Sequence, residues 1–349
     1  MTAVIPKVKV FLKKTQLINR PGMSGKIAVV GAFDTLKTEP ELFNTVGEAQ
    51  ASFGDDDTYN GCDVIPYLFK GGAESVLAVN ITTESEGTRQ KAITVDNLAT
   101  ALAKIKGENW DILFIAEALT DTFIPIINAY VEGNFESKNP CGYIGALTGA
   151  TVQANVTSAG LVNDWCYGLV TQSFTVDGET LTVLESTAYY CGLVAGMNVG
   201  NTMTYKTIEG VEGVTPELNF ETGGDGKALL EAGIVTVKCV DRSTNRHIVV
   251  NSELPNGWDL YINRTRDYIV KEMALHQFLG DRNRQATLDE IKQELDRVRF
   301  MCVETLDLLE DIQYSVEKKS PNCVDVYIDS LVFAGLITEI DVYVKIEVI

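Results

Sequence analysis

The run EIDVYVKIEVI, residues 339–349, constrains the fold more than any other stretch because it alternates without a break. Ile340, Val342, Val344, Ile346 and Val348 share one side, and Asp341, Tyr343, Lys345 and Glu347 share the other. A period of two is the pattern of a half-buried β-strand. Its apolar side needs a cover, and its backbone N–H and C=O groups need partners. Two readings meet that demand: the strand completes the chain's own sheet, or it is lent to a neighbouring subunit. The beginning of the chain offers a counterpart. In VIPKVKVFLKK, Val8, Val10 and Leu12 face one way while Lys7, Lys9 and Lys13 face the other, and Pro6 suits an edge or a strand start. The first 20 residues hold Lys7, Lys9, Lys13, Lys14 and Arg20 and no acid, whereas the final strand is acidic on balance, so two such ends can lie beside each other. The stretch INRPGMSG then reads as a linker that sets this arm apart from the body.

Between the arms, apolar strands alternate with helices. GKIAVVGAF reads as a buried strand, VGEAQASFG as a short helix closed by Gly54, and DDDTYNGCDVIPYLFKGG as a helix ending at Gly71 and Gly72. ESVLAVNIT, TVDNLATALAKIKG and WDILFIAEAL continue as strand, helix and strand, which implies an α/β layer architecture. Residues from about 150 to 220, rich in Thr, Val, Gly and Tyr, read as a β-rich portion. LLEAGIVTVKCVD restarts the alternation, and WDLYINRTRDYIVKEMALHQFLG reads as one helix of about five turns closed by Gly280. Thr287 and Glu290 form a capping box for the longest helix, whose Leu288, Ile291, Leu295, Val298 and Cys302 make a core-facing stripe. At 349 residues and 45% hydrophobic the chain is large enough for two cores. The expected class is therefore α/β (mixed α+β), with an N-terminal domain at 21–225, a C-terminal domain at 226–336, and β-arms at 1–20 and 337–349.

Little in the sequence carries chemistry. A net charge of -19 opposes direct nucleic-acid binding, which needs a basic surface. No apolar run approaches the roughly 20 residues of a membrane span, and MTAVIPKVKVFLKK lacks the apolar core of a secretory signal, so no membrane insertion and a cytoplasmic chain are expected. The seven cysteines (62, 141, 166, 191, 239, 302 and 323) show no C-x-x-C pair and read as reduced, core-filling thiols. Gly31 stands alone where a dinucleotide turn needs three glycines, so the first strand reads as core. Asp55, Asp56 and Asp57 precede a helix and read as partners of its N-terminus rather than as a metal site. The two histidines, His247 and His276, have no nucleophile motif around them. The expectation is a non-enzyme without cofactor or metal. Arg264, Arg266 and Lys271 place positive charge on one helix of an acidic chain, either as a solvated face or as a contact surface.

Four segments, taken in order, resemble the contractile tail sheath family of phages and related phage-tail-like particles. They are GKIAVVGAF with FNTVGEAQASFG and PYLFKGGAESVLAVNIT; AYYCGLVAGMNVGNTMTYKTIEGVEGV; LLEAGIVTVK with WDLYINRTRDYIVKEM; and the terminal strand. The resemblance implies tail-sheath-like α/β domains with extended arms, and a structural subunit that forms stacked hexameric rings in a helical lattice around a tail tube protein. It further implies baseplate and tail terminator proteins as partners, contraction that drives the tube through a cell envelope, and assembly in a bacterial host cytoplasm before incorporation into a virion tail or phage-tail-like particle. Under it, Lys7, Val8, Lys9, Val10 and Leu12 together with Ile340, Asp341, Val342, Val344, Ile346, Glu347 and Val348 are inter-subunit arm residues, added to neighbours by β-augmentation. Arg264, Arg266 and Lys271 become candidates for facing the tube. A cytoplasmic α/β enzyme and a non-contractile tail tube or shell protein are the competing readings.

Overall fold

The computed structural model describes residues 25–334 apart from 138, 274, 279–280, 282–283 and 321–322, and of His276 the backbone alone. All the arm residues named above, Lys7 to Leu12 and Ile340 to Val348, lie outside the described residues, as does Gly280. One compact unit ends at Glu272 and a second begins at Met273. The boundary expected near 225–226 thus falls inside the first unit.

The first unit opens with β1 (Lys26–Gly31), β2 (Glu41–Phe43), α1 (Val46–Phe53), α2 (Asn60–Gly71) and β3 (Ser75–Asn80). A small hairpin of β4 (Thr83–Ser85) and β5 (Thr88–Gln90) precedes α3 (Val95–Lys104) and β6 (Ile112–Ile115). Then α4 (Ile124–Glu136) leads to β7 (Gly142–Ala146), and α5 (Val152–Ala159) to β8 (Cys166–Val170). The six strands lie in the order β2-β3-β1-β6-β7-β8, all parallel except the antiparallel edge strand β2. Parallel strands covered by helices on both faces carry unbroken apolar runs. Every residue of β3, β6, β7 and β8 is buried accordingly.

Local signals placed the early helices. Thr45 caps α1 by accepting the Glu48 N–H at 3.2 Å, and Gly54 closes it at φ 86°, a backbone state that L side chains resist. Gly72 closes α2. Thr94 and Asn97 exchange hydrogen bonds in a capping box at the start of α3.

The stretch expected to be β-rich is more mixed. It holds β9 (Ser173–Val176), β10 (Glu179–Thr180) and β11 (Val211–Thr215), which form a three-stranded sheet, but also α5 and a 14-residue helix, α6 (Val183–Gly196). Helix α6 is buried almost all round, from Glu185 to Ala195 with Leu193 as the exception. Such a helix shows no polar face and therefore no period of 3.6 in its sequence. It packs along α2, residue against residue in the same direction. A Cβ on Gly71 would stand 2.2 Å from the Tyr189 carbonyl oxygen, and one on Gly192 would stand 2.2 Å from that of Leu68. The two glycines let the backbones touch.

The unit closes with α7 (Asp225–Glu231), the antiparallel pair β12 (Val237–Asp241) and β13 (Arg246–Val249), and α8 (Leu260–Glu272). Val235 pairs in parallel with Val170 beside β8. The long helix expected to reach Gly280 is shorter: α8 stops at Glu272, and a 3-10 turn follows at Leu275–Phe278. Nothing local stops a helix in EMALHQF; the break falls where the chain passes from one compact unit to the other.

In the second unit, α9 (Gln285–Phe300) runs on into a π-helical turn at Met301–Thr305. Ile291, Leu295, Val298 and Cys302 are buried as the stripe requires, and Leu288 is half-buried. The capping box is not at the cap: α9 starts at Gln285 with Arg284 before it, so Thr287 lies in the first turn. Helix α9 packs against β14 (Asp311–Ser320), which forms a hairpin with β15 (Cys323–Val332). No helix among the described residues is long and apolar enough to cross a membrane.

The contact between α2 and α6 leaves no room for a methyl group. Gly192→Ala is expected to cost about 1–3 kcal/mol or more in chemical denaturation. Gly133→Ala in α4, where a Cβ meets nothing within 4 Å, should be neutral or stabilising by about 0.5–1 kcal/mol.

Candidate functional site

Strands β3-β1-β6-β7-β8 follow the doubly wound order, in which ligands bind beyond the carboxyl ends of the strands where the winding reverses, here between β1 and β6. That point is filled. A Cβ on Gly31 would meet the Ala116 Cβ at 2.7 Å and the Gly61 Cα at 3.1 Å. Beyond it the Phe33 N–H donates to Asn80 Oδ1 (3.0 Å) and Thr82 Oγ1 (3.1 Å). Asn80 Nδ2 in turn donates to the carbonyls of Thr35 (2.7 Å) and Lys37 (3.0 Å). The backbone N–H of Phe33 is thus bonded within the protein.

The other chemical candidates have structural partners. The buried His247 sets Nδ1 at 2.9 Å from the Asn245 carbonyl and 3.2 Å from that of Val211, so this nitrogen carries the proton. Asp55, Asp56 and Asp57 are exposed, and hydrogen bonds from Thr58 hold Asp56 below the usual carboxylate range. Among the described residues no group of His, Cys, Asp and Glu is arranged to hold a metal ion.

The three cations of α8 do not form a surface. Arg264 is 1% exposed and donates to the carbonyls of Met197 (3.0 Å) and Asn198 (3.4 Å), which end α6. A guanidinium at that position complements the negative end of the helix dipole, at the cost of burial, which draws its pKa down. Arg266 donates through Nε to the fully buried Asp267 (2.8 Å), and its guanidinium lies over the packed rings of Phe135 and Trp165. Asp267 also accepts the Tyr167 hydroxyl, and burial with that carboxylate pushes the Tyr167 pKa well up. Lys271 Nζ pairs with Asp111 Oδ1 (2.9 Å) and donates to the Trp110 carbonyl (2.7 Å). These side chains are thus held by partners within their own unit rather than spread as a solvated face. Counting charges along a helix does not reveal partners that lie far away in sequence.

Of the cysteines, Cys62, Cys141, Cys166, Cys191 and Cys302 are buried, while Cys239 and Cys323 are partly exposed. Desolvation pushes the thiol of Cys62 up to about 11 and those of Cys141 and Cys166 up to about 12, so they fill space rather than react.

Among the described residues the hairpin β14–β15 is the least covered of the longer strands. Val316 pairs with Val326, Tyr314 with Ile328 and Lys318 with Val324, so one face is largely aliphatic, and Val316, Val324, Val326 and Ile328 on it are only half-buried. The other face carries Glu317, Asp325 and Asp329. Among the described residues neither outer edge pairs with a third strand. A two-stranded hairpin is marginal alone, and an apolar face with free edges favours further strands.

Lys271→Met should cost about 3–5 kcal/mol in chemical denaturation by taking the cation away from Asp111, which is 4% exposed. Lys292→Met, on the exposed side of α9, should stay within about 0.5 kcal/mol. A thiol reagent at mildly alkaline pH is expected to label Cys239 and Cys323 in the native protein and the other five cysteines only after unfolding.

No family model matches the sequence, and no curated protein matches it. Solved structures do. A sheath tail protein from Desulfitobacterium hafniense superposes with a TM-score of 0.66 at 12% identity, over 94% of this chain and 99% of that one. A sheath tail protein from Listeria innocua gives 0.62 at 11% identity, over 84% and 89%. The helical sheath of the anti-feeding prophage in its contracted state gives 0.69 at 11% identity, over 99% of both chains. With so little identity and nearly full coverage, the likeness is one of architecture: this chain has the tail sheath fold.

Proposed function

We propose that the protein is a structural subunit of a contractile tail sheath, stacked in hexameric rings around a tail tube and joined to its neighbours through strands lent by its two arms. The observation that carries the reading is the hairpin β14–β15, with a half-buried aliphatic face and two edges without a third strand among the described residues. The arms have the matching pattern. Val8, Val10 and Leu12, or Ile340, Val342, Val344, Ile346 and Val348, would extend the aliphatic face. Lys7 and Lys9 would meet Glu317, Asp325 and Asp329 across the polar face, or Asp341 and Glu347 of an adjacent C-terminal strand. Opposite charges on the two arms favour unlike pairing over like. Head-to-tail donation does not have to close, so it builds rings and tubes.

On this reading the arms are tethers between bodies that slide from an extended lattice to a contracted one with more buried interface, and the work moves the tube through an envelope. Tube, baseplate and terminator proteins are then its partners. Assembly would take place in the host cytoplasm before the subunit enters a virion tail or a phage-tail-like particle. The likeness to the anti-feeding prophage sheath supports this reading, as does the filled switch point of the doubly wound sheet.

Electron microscopy of the overexpressed protein tests the proposal, with hollow striated tubes as the expected result. Deletion of residues 338–349 should leave a subunit with native far-UV circular dichroism that no longer polymerises. Unaltered polymerisation of the deletion variant, or uniform small particles from the full chain in all conditions, would overturn it.

A further inference from the structure

Where α2 and α6 run side by side, with Gly71 against Gly192, their first turns bring two carboxyl groups together, Asp63 of α2 and Glu185 of α6. Glu185 is held in place. It is 9% exposed and accepts the Thr182 N–H at 2.5 Å, and Thr182 Oγ1 accepts the Glu185 N–H at 3.3 Å, the two halves of a capping box. The helices are held too, because Gly71 and Gly192 lock the backbones together further along. Two ionised carboxylates have only acceptors to offer, so a hydrogen bond between them needs a proton on one.

The surroundings supply acids. Asp57, in the loop before α2, and Glu179 of β10 act on Asp63 alongside Glu185. Tyr67, one turn along α2, is hydrogen-bonded to Glu179. On the neighbouring turn after β9, Lys70 is occupied by Asp177 at 2.6 Å and Glu212 accepts the Gly178 N–H at 3.0 Å.

We propose that one proton held between Asp63 and Glu185 near neutral pH keeps the first turns of α2 and α6 together, so that its loss is a pH-sensitive loosening built into this helix pair. Burial first, and then the neighbouring carboxylates, push Asp63 up from 3.8 to about 7. Below the lower value the folded and unfolded chains both carry the proton. Between the two values only the folded chain does, so the stability from this group is lost as pH rises through the window and is absent above it. This device concerns the interior of the first unit and does not depend on assembly.

Thermal unfolding of the full chain, the wild type beside Asp63→Asn and Glu185→Gln, tests it across the range from about pH 5 to about pH 8. Each amide puts a permanent N–H donor where the proton stood. Both variants are expected to melt higher than the wild type at the alkaline end and to lose that advantage at the acid end, which flattens the dependence on pH. Variant curves that run parallel to the wild type at a constant offset overturn the proposal. Hydrogen exchange of the wild type alone provides the second measurement, should a variant fail to fold. After correction for intrinsic rates, amides in the first turns of α2 and α6 should lose protection between about pH 6 and about pH 8 while those of β1 keep theirs. Unchanged protection there overturns it equally.

Discussion

Burial of a parallel sheet on both faces is the constraint from which the first unit follows. Strands β1, β3, β6, β7 and β8 have almost no polar side chain to turn outward, so helices must cover both sides. On one side that cover is α2 and α6 together, and their packing requires that two backbones touch. Gly71 and Gly192 allow it. In the sequence these glycines belong to two separate motifs, KGGAES and YYCGLVAG; in the fold they are the two halves of one contact.

The same interior accounts for the charges of α8. Arg264 closes the carboxyl end of α6, Arg266 answers Asp267, and Lys271 answers Asp111. A buried carboxylate without its cation costs far more than the pair contributes, so these residues act as fasteners of the helix that precedes Met273. The pair of the half-buried Asp63 and the buried Glu185 is the counter-example within the same unit, since there a proton rather than a cationic side chain meets the carboxylate. The interior thus neutralises its ions in two ways, one of which depends on pH.

The second unit follows a different logic. Its stripe on α9 is buried and its thin sheet is partly covered, but among the described residues the outer edges of the hairpin pair with no third strand, and its aliphatic face is half-buried.

What could be read from the sequence was what is local. The strands β1, β3 and β6 and the helices α1 to α3 were legible because apolar period, caps and closing glycines act within a few residues. Helix α6 was not, because a helix buried on all sides has no period, although Thr182 and Glu185 spelled its capping box. The arms carry an alternating pattern in the sequence and lie outside the described residues. The end of α8 at Glu272, the inward turn of Arg264, Arg266 and Lys271, and the meeting of Gly71 with Gly192 were decided by the tertiary structure alone. The sequence by itself determined the α/β class and the order of its early elements, since hydrogen bonds within a turn and the alternation of a strand are written in neighbouring residues. Which charges are buried, and which backbones touch, depends on segments far apart in the chain that only folding brings together.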